Sequence, residues 1–319
     1  MKKYTAWALL VMLFLSAFPF LTVMADEKIS VVSTIFPPYD FARAVAGDKA
    51  DVTMLLKPGA EIHSFEPTPA DILAIQNADV FLYIGGESDV WVDDILSSMD
   101  VSKKQIVRLM DAVTLVEEKT VEGMQEEFEE ADADGEQENS EMEYDEHIWT
   151  SPQNAVLMVN DVLKALCAAD AGNKDEYQKN AEGYIAQIEA IDAQFKAVAL
   201  EADPKLMVFG DRFPLRYFAD AYGLEYRAAF PGCSTETEAS AATIAYLIDT
   251  VKTYKLPYIY TIELSNQNIA RSISEQTGAQ ILTFQSCQGI SRDDFQAGAT
   301  YVSLMHKNVE NLRKGLVTP

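Results

Sequence analysis

Only three histidines occur in the chain, His63, His147 and His306, and the first two stand in segments that look built to place them. His63 lies in Gly59-Ala60-Glu61-Ile62-His63-Ser64-Phe65-Glu66-Pro67-Thr68-Pro69, and His147 in Asp145-Glu146-His147-Ile148-Trp149-Thr150-Ser151-Pro152. Each has carboxylates beside it and prolines shortly after it, which predicts short, stiff loops rather than helix faces. Neutral imidazole is the commonest protein ligand for transition metals, so this pattern points to a metal site. Glu66 and Asp145 are expected to accept the imidazole N–H groups from outside the coordination shell. His306, beside Met305 and Lys307 in a closing helix, reads as structural.

The elements that must hold these loops follow from the patterning. In the first half, Ile29–Thr34, Val52–Leu56, Val80–Ile84 and Ile106–Leu109 read as short apolar strands. They alternate with helices ending near Ala46 and running from Pro69 to Gln76. In the second half, Leu206–Phe209, Tyr226–Ala228, Tyr258–Ile262 and Ile281–Phe284 read as strands. Helices are predicted over Arg212–Tyr222, Thr235–Tyr254, Ile269–Gln276 and Phe295–Leu312, the second of them capped by Ser234 or Thr235. Such alternation indicates parallel sheets covered on both faces. Between the halves, Tyr177, Ala181, Tyr184, Ile188, Ile191, Phe195 and Val198 recur at spacings of four and three, one apolar stripe on a helix of about 28 residues. In open parallel sheets, ligands collect outside the carboxyl ends of the strands. His63, Asp211 and Glu263 each follow a predicted strand, and His147 precedes a helix on the same rim, so four candidate ligands face one crevice.

These segments resemble the solute-binding proteins of ABC transporters that carry zinc or manganese. The residues that carry the resemblance are Val31–Pro38, Gly59–Asp71, Ile84-Gly85-Gly86 with Trp91, and Asp145–Pro152, and it extends over nearly the whole chain after the N-terminal segment. It implies an α/β fold of two lobes, each a parallel sheet flanked by helices, joined by one long rigid helix, with one ion held between the lobes. It also implies an extracytoplasmic receptor, not an enzyme, that works as a monomer and hands its ion to an ABC permease. The second half departs from the pattern. Where the family usually has a third histidine, the chain reads Val208-Phe209-Gly210-Asp211-Arg212-Phe213-Pro214-Leu215-Arg216-Tyr217. The strand end puts Asp211 at the ligand position; counting back from Tyr217 puts Arg212 there, which cannot ligate a cation. Glu263 resembles the acid after the family's penultimate strand, either a ligand or an outer partner. The metal set is therefore His63, His147, Asp211 and Glu263. Two histidines with carboxylates suit Zn2+ and also Mn2+, with zinc favoured because the charged insertion before His147 sits where the zinc members carry theirs.

Composition narrows the rest. The formal net charge is −25, which opposes nucleic-acid phosphates. Fifteen acidic residues and one lysine lie between Glu117 and Glu146, a block that repels itself and is expected to be mobile. Lys2 and Lys3 ahead of an apolar run from Ala6 to Phe20 read as an export signal ending near Ala25, and no cysteine lies there to take a lipid. Of Cys167, Cys233 and Cys287, the last two sit in predicted loops and are expected to pair as a disulfide. The expected organisation is a signal segment over 1–25, an N-terminal α/β lobe over 26–170 with the mobile acidic insertion at 117–146, a linking helix over 171–203, and a C-terminal α/β lobe over 204–319. A metal-dependent hydrolase or a surface adhesin are the rival classes, but no HExxH, GxSxG or phosphate-loop motif supports catalysis.

Overall fold

A computed structural model describes residues 28–124, 143–234 and 238–317. The first sheet consists of β1 (Ile29–Ser33), β2 (Ala50–Met54), β3 (Val80–Tyr83) and β4 (Gln105–Arg108), all parallel, in the order β2-β1-β3-β4. Its helices are α1 (Phe36–Ala46), α2 (Pro69–Asn77), α3 (Trp91–Ser97) and α4 (Pro152–Ala169). Pro37 and Pro38 fall in the first turn of α1 and Pro69 and Pro152 open α2 and α4, positions where a missing N–H costs nothing. Thr68 and Asp71 close a reciprocal capping box at the start of α2, which fixes where the His63 loop must end.

The second sheet repeats the plan with β5 (Leu206–Phe213), β6 (Glu225–Pro231), β7 (Tyr258–Thr261) and β8 (Gln280–Thr283), again parallel, in the order β6-β5-β7-β8. Its helices are α6 (Arg216–Tyr222), α7 (Ala241–Tyr254), α8 (Asn268–Thr277), α9 (Arg292–Gln296) and α10 (Tyr301–Leu316), and α5 (Lys174–Glu201) connects the two halves. In both sheets the strand order reverses beside the first strand, between β1 and β3 and between β5 and β7, and that is where open α/β sheets leave a ligand crevice.

Helix α5 has 28 residues, about 42 Å at 1.5 Å per residue. All seven residues of the predicted stripe, Tyr177 through Val198, are buried. Core side chains run without a break from α1 and α4 through α5 to Phe218, Phe284 and Tyr301 of the second half. Asp40 on α1 ties the halves together: it accepts from Tyr184 Oη of α5 at 2.5 Å, from the Tyr301 amide of α10 at 2.8 Å and from Arg43 at 2.6 Å.

Four local expectations change. Strand β5 continues through Gly210-Asp211-Arg212 to Phe213, with a register irregularity between Phe209 and Arg212, and α6 starts only at Arg216 because Pro214 cannot sit inside a helix. Gly210 permits this, since a Cβ there would lie 2.6 Å from the Ala270 Cα of α8. Helix α7 is capped by Ser240, which accepts from the Thr243 amide, so Glu238 precedes the helix; residues 235–237 lie outside the described residues. The closing helix is two helices, separated at Gly298 with φ of 73°.

The fourth change concerns the expected Cys233–Cys287 disulfide: all three cysteines are free thiols. Cys287 is fully buried in the core, beside Tyr301, whereas the Cys233 amide is bonded to Glu118 at 3.2 Å, in an acidic neighbourhood.

Of the acidic insertion, 125–142 lie outside the described residues. Its two ends form a short antiparallel ladder, Glu117 opposite Tyr144, with Glu118 N to Glu143 O at 2.9 Å and Asp145 N to Val116 O at 2.9 Å. Glu118 Oε1 accepts the amides of Gly232 and Cys233 at 2.8 and 3.2 Å, so the stem is held against the second half.

Candidate metal centre

His147 is completely buried, immediately before the short helical turn Ile148–Thr150 and the Pro152 start of α4. Asp145 Oδ1 accepts both its backbone amide at 2.8 Å and its ring Nδ1–H at 3.0 Å. With the proton fixed on Nδ1, the Nε2 lone pair is the free one, and Nε2 is buried without a hydrogen-bond partner. A buried polar atom left alone is costly, and an imidazole oriented by a carboxylate with its second nitrogen bare is the arrangement of a metal ligand. Burial pulls the His147 pKa down, but Asp145 foremost, then Glu146 and Glu118, outweigh it and hold the pKa above the ordinary 6.5.

His63 sits in the loop between β2 and α2, with its ring centroid 6.4 Å from that of His147. Ser88 Oγ donates its one proton to Glu146 Oε1 at 2.5 Å, so its 3.3 Å contact with His63 Nδ1 requires the imidazole N–H to be there. His63 Nε2 is then the lone-pair nitrogen, covered by the Gln288 amide at 3.2 Å. Burial first, then the charges of His147 and Arg212, push the His63 pKa down to about 3, so this imidazole is neutral at any ordinary pH.

Glu146 is the third member. It is 2% exposed, and it is steered by the Ser88 amide to Oε2 at 2.9 Å as well as by the Ser88 hydroxyl. One donor atom from each of His63, Glu146 and His147 lies within 4.8 Å of the others, the one such group of three among the described residues. Two imidazoles and a carboxylate around one point can hold a divalent transition metal with a fourth position left over.

The structure brings His63 and His147 together and places Asp211 and Glu263 outside this group. Asp211 lines a cavity of about 280 Å³ in front of His63, together with Glu61, Arg212, Phe230 and Ser265. Its Oδ1 accepts from the Arg212 amide at 2.9 Å, while Oδ2 is buried without a partner; burial raises its pKa against the pull of Ser265 and Arg212. Arg212 crosses the cleft to Glu61 at 3.0 Å and also donates to the Ser234 carbonyl at 3.0 Å. Both Glu263 oxygens are taken by Ser286, from its amide at 2.6 Å and its hydroxyl at 2.7 Å. Glu263 thereby fixes the segment whose Ser286 carbonyl accepts the Trp149 indole N–H at 2.7 Å and whose Gln288 covers His63. Asp145 fulfils the expected outer role; Glu66 is exposed in its loop, and Ser88 serves His63 instead. His306 is exposed on α10, apart from the site.

The sequence reading passed over Glu146, Ser88 and Gln288. Glu146 was visible as a flank of His147, but its role depends on Ser88, 58 residues away.

From Val31 to Gly315 the chain matches the family described as "Zinc-uptake complex component A periplasmic". It belongs to that family. Zinc-binding lipoprotein AdcA of Streptococcus pneumoniae is 32% identical over 91% of this chain, but the match takes in only 56% of AdcA, so the chain spans about half the length of that relative. The high-affinity zinc uptake system protein ZnuA of Bacillus subtilis is 31% identical, with 91% of this chain and 88% of ZnuA covered. Among solved structures, the Zn(II)-bound ZnuA-like domain of S. pneumoniae AdcA superimposes with a TM-score of 0.74 at 29% identity, covering 92% of this chain and all of that one. The laminin-binding protein Lmb of Streptococcus agalactiae, described as having adhesin and metal-transporting activity, gives 0.73 at 27% identity, covering 90% and 99%. The two-lobe α/β fold with a long connecting helix is thus that of the zinc-uptake component. No described helix is long and apolar enough to cross a membrane.

Proposed function

We propose that the protein captures one zinc ion outside the cytoplasm and passes it to the membrane permease of an ABC transporter, acting as a receptor with no chemistry of its own. The observation that carries this is the convergence of His63, Glu146 and His147 within 4.8 Å. In both imidazoles the hydrogen-bond network puts the proton on Nδ1 and the lone pair on Nε2, bare in His147 and, in His63, accepting the Gln288 amide that an ion would displace. The three hold the ion from the first lobe. Asp211, at the cavity in front of His63, is the carboxylate an arriving cation meets, and its unpartnered Oδ2 is available to it. Glu263 reaches the ion only by giving up Ser286; while it keeps both bonds, it braces Trp149 and Gln288. The relatives' names support zinc as the cargo. Manganese has the same geometric access but prefers more oxygen donors than two imidazoles leave room for. In organisation, residues 26–170 form the metal-holding lobe, 171–203 the strut and 204–319 the covering lobe, working as a monomer.

Titration of the metal-free protein with zinc, alongside His63→Ala and His147→Ala, tests the reading. Each variant should weaken binding well beyond the roughly 10-fold that loss of an outer partner costs; a smaller loss in both would remove the site.

A further inference from the structure

Two glycines let backbone close on the metal group. In the second lobe, a Cβ on Gly232 would lie 3.1 Å from His147 Cε1. In the first, a Cβ on Gly86 would collide with Cβ and Oε2 of Glu146, so the turn after β3 needs glycine there to seat that carboxylate. We propose that Asp89, at the end of this turn, is a positioning residue of the metal centre: it fixes Ser88 and holds one water against Glu146. The inference rests on the zinc-receptor reading above and says how that site keeps its carboxylate donor in place.

Asp89 is 4% exposed. Its Oδ2 accepts the amides of Ile84 at 2.7 Å and Gly85 at 3.1 Å, and the Thr34 hydroxyl at 3.5 Å. These bonds tie the turn Glu87–Asp89 to the ends of β3 and β1, and Ser88 with it. Ser88 in turn bonds both Glu146 oxygens and meets His63 Nδ1. Its placement therefore sets the direction of one donor and the tautomer of another. The other oxygen, Asp89 Oδ1, is buried, and no protein group bonds it. Asp89 borders a cavity of about 10 Å³ together with Glu146, Gln288, Ile62 and Ile84, the size of a single water. Two buried carboxylates thus share one small space, and the Glu146 charge works against that of Asp89. A water has two protons to give, one to each carboxylate, which turns the repulsion into a bridge. Gln288 spends one amide proton on His63 Nε2 and has a second for the water, completing the three bonds usual for a buried water. A capping role alone would need no charge here, since an asparagine oxygen accepts the same amides.

Asp89→Asn and Asp89→Ala, made in the full chain, separate this role from ordinary turn packing. Asparagine keeps an acceptor for the Ile84 and Gly85 amides but replaces the acceptor facing the water with a donor. Its denaturation midpoint should stay near that of the unmodified protein, while zinc binds about 10-fold more weakly. Alanine should weaken zinc binding at least as much and also release Ser88. Imidazole nitrogen resonances of the metal-free alanine variant should then show His63 as a mixture of tautomers instead of Nδ1–H alone. In the unmodified metal-free chain, nuclear Overhauser contacts should link one long-lived water to the Ile62 and Ile84 methyl groups, a test independent of how any variant folds. Zinc affinity within about twofold of the unmodified value in Asp89→Asn, short of the loss an outer partner causes, would overturn the assignment and leave the receptor reading intact. So would a single His63 tautomer in Asp89→Ala, or the absence of that water. Failure of the unmodified chain to bind zinc would overturn both.

Discussion

At the scale of single residues, the two histidines differ in how they meet protons. His63, with its pKa pushed down to about 3, does not compete with metal in the ordinary range. His147, held above 6.5 by Asp145 against the effect of burial, must give up a proton before Nε2 can bind. Zinc affinity is therefore expected to fall by about tenfold per pH unit once pH drops below the His147 pKa, a fall that begins above 6.5 rather than at it. Calorimetry in buffers of different ionisation enthalpy should show more proton released per ion at pH 6 than at pH 8; no pH dependence between 6 and 8 would refute the assignment. The metal-free fold has the opposite sign. A raised histidine pKa contributes stability that is complete below the unfolded value of 6.5 and is lost as pH rises through the folded value. Asp145→Asn, which weakens the hold on the Nδ1 proton, should cost about 10- to 100-fold in zinc affinity. Both histidines and Asp145 could be read from the sequence, because their motifs are local. Glu146 could not be told from a solvated flank, since what orients it comes from Ser88, and what covers His63 comes from Gln288, 225 residues away.

At the scale of elements, the acidic insertion separates into parts with different work. Glu118 belongs to a stem that clamps the Gly232–Cys233 turn, so its carboxylate positions the wall of the site. Deleting 125–142 with a short linker should leave zinc affinity within a few-fold. Glu118→Ala should weaken it by about 10-fold or more, as for a lost outer partner, and equal effects in the two titrations would sink this division. Element existence was well marked in the sequence: strands announced by short apolar runs and α5 by its stripe coincide closely with the structure. The misplaced boundary at β5 has a physical cause. Gly210 and Asp211 look like a turn, yet close passage of α8 at Ala270 requires glycine inside the strand, so Asp211 stands within a central strand rather than in a free loop. The expected disulfide failed for a similar reason: both cysteines lie in irregular segments, but one turn faces the metal group and the other lies under Tyr301.

At the scale of the molecule, the continuous core along α5 and the Asp40 junction make the two lobes one body. Asp40→Ala would leave Tyr184 Oη and the Tyr301 amide unsatisfied in the interior, at about 1–3 kcal/mol each. Its denaturation midpoint should drop with an unchanged slope. Solution scattering should show almost no change in radius of gyration on zinc binding, because loading shifts the turns and loops at the cleft rather than rotating a lobe. A contraction of the size seen in hinge-closing receptors would contradict this.

Trp149 gives these events an optical signal. Its indole meets the His147 imidazole edge-on, with ring centroids 5.5 Å apart. Its N–H is held by Ser286 of the second lobe, and its carbonyl accepts the Tyr301 hydroxyl at 2.8 Å. A protonated imidazole quenches indole emission, whereas a zinc-bound one carries no transferable proton at Nε2. Below the His147 pKa, Trp149 emission should therefore brighten as zinc loads and dim as acid releases it. The same ring lies at the seam between the lobes, so in a Trp91→Phe background one fluorescence trace would follow capture and discharge in real time without an attached dye.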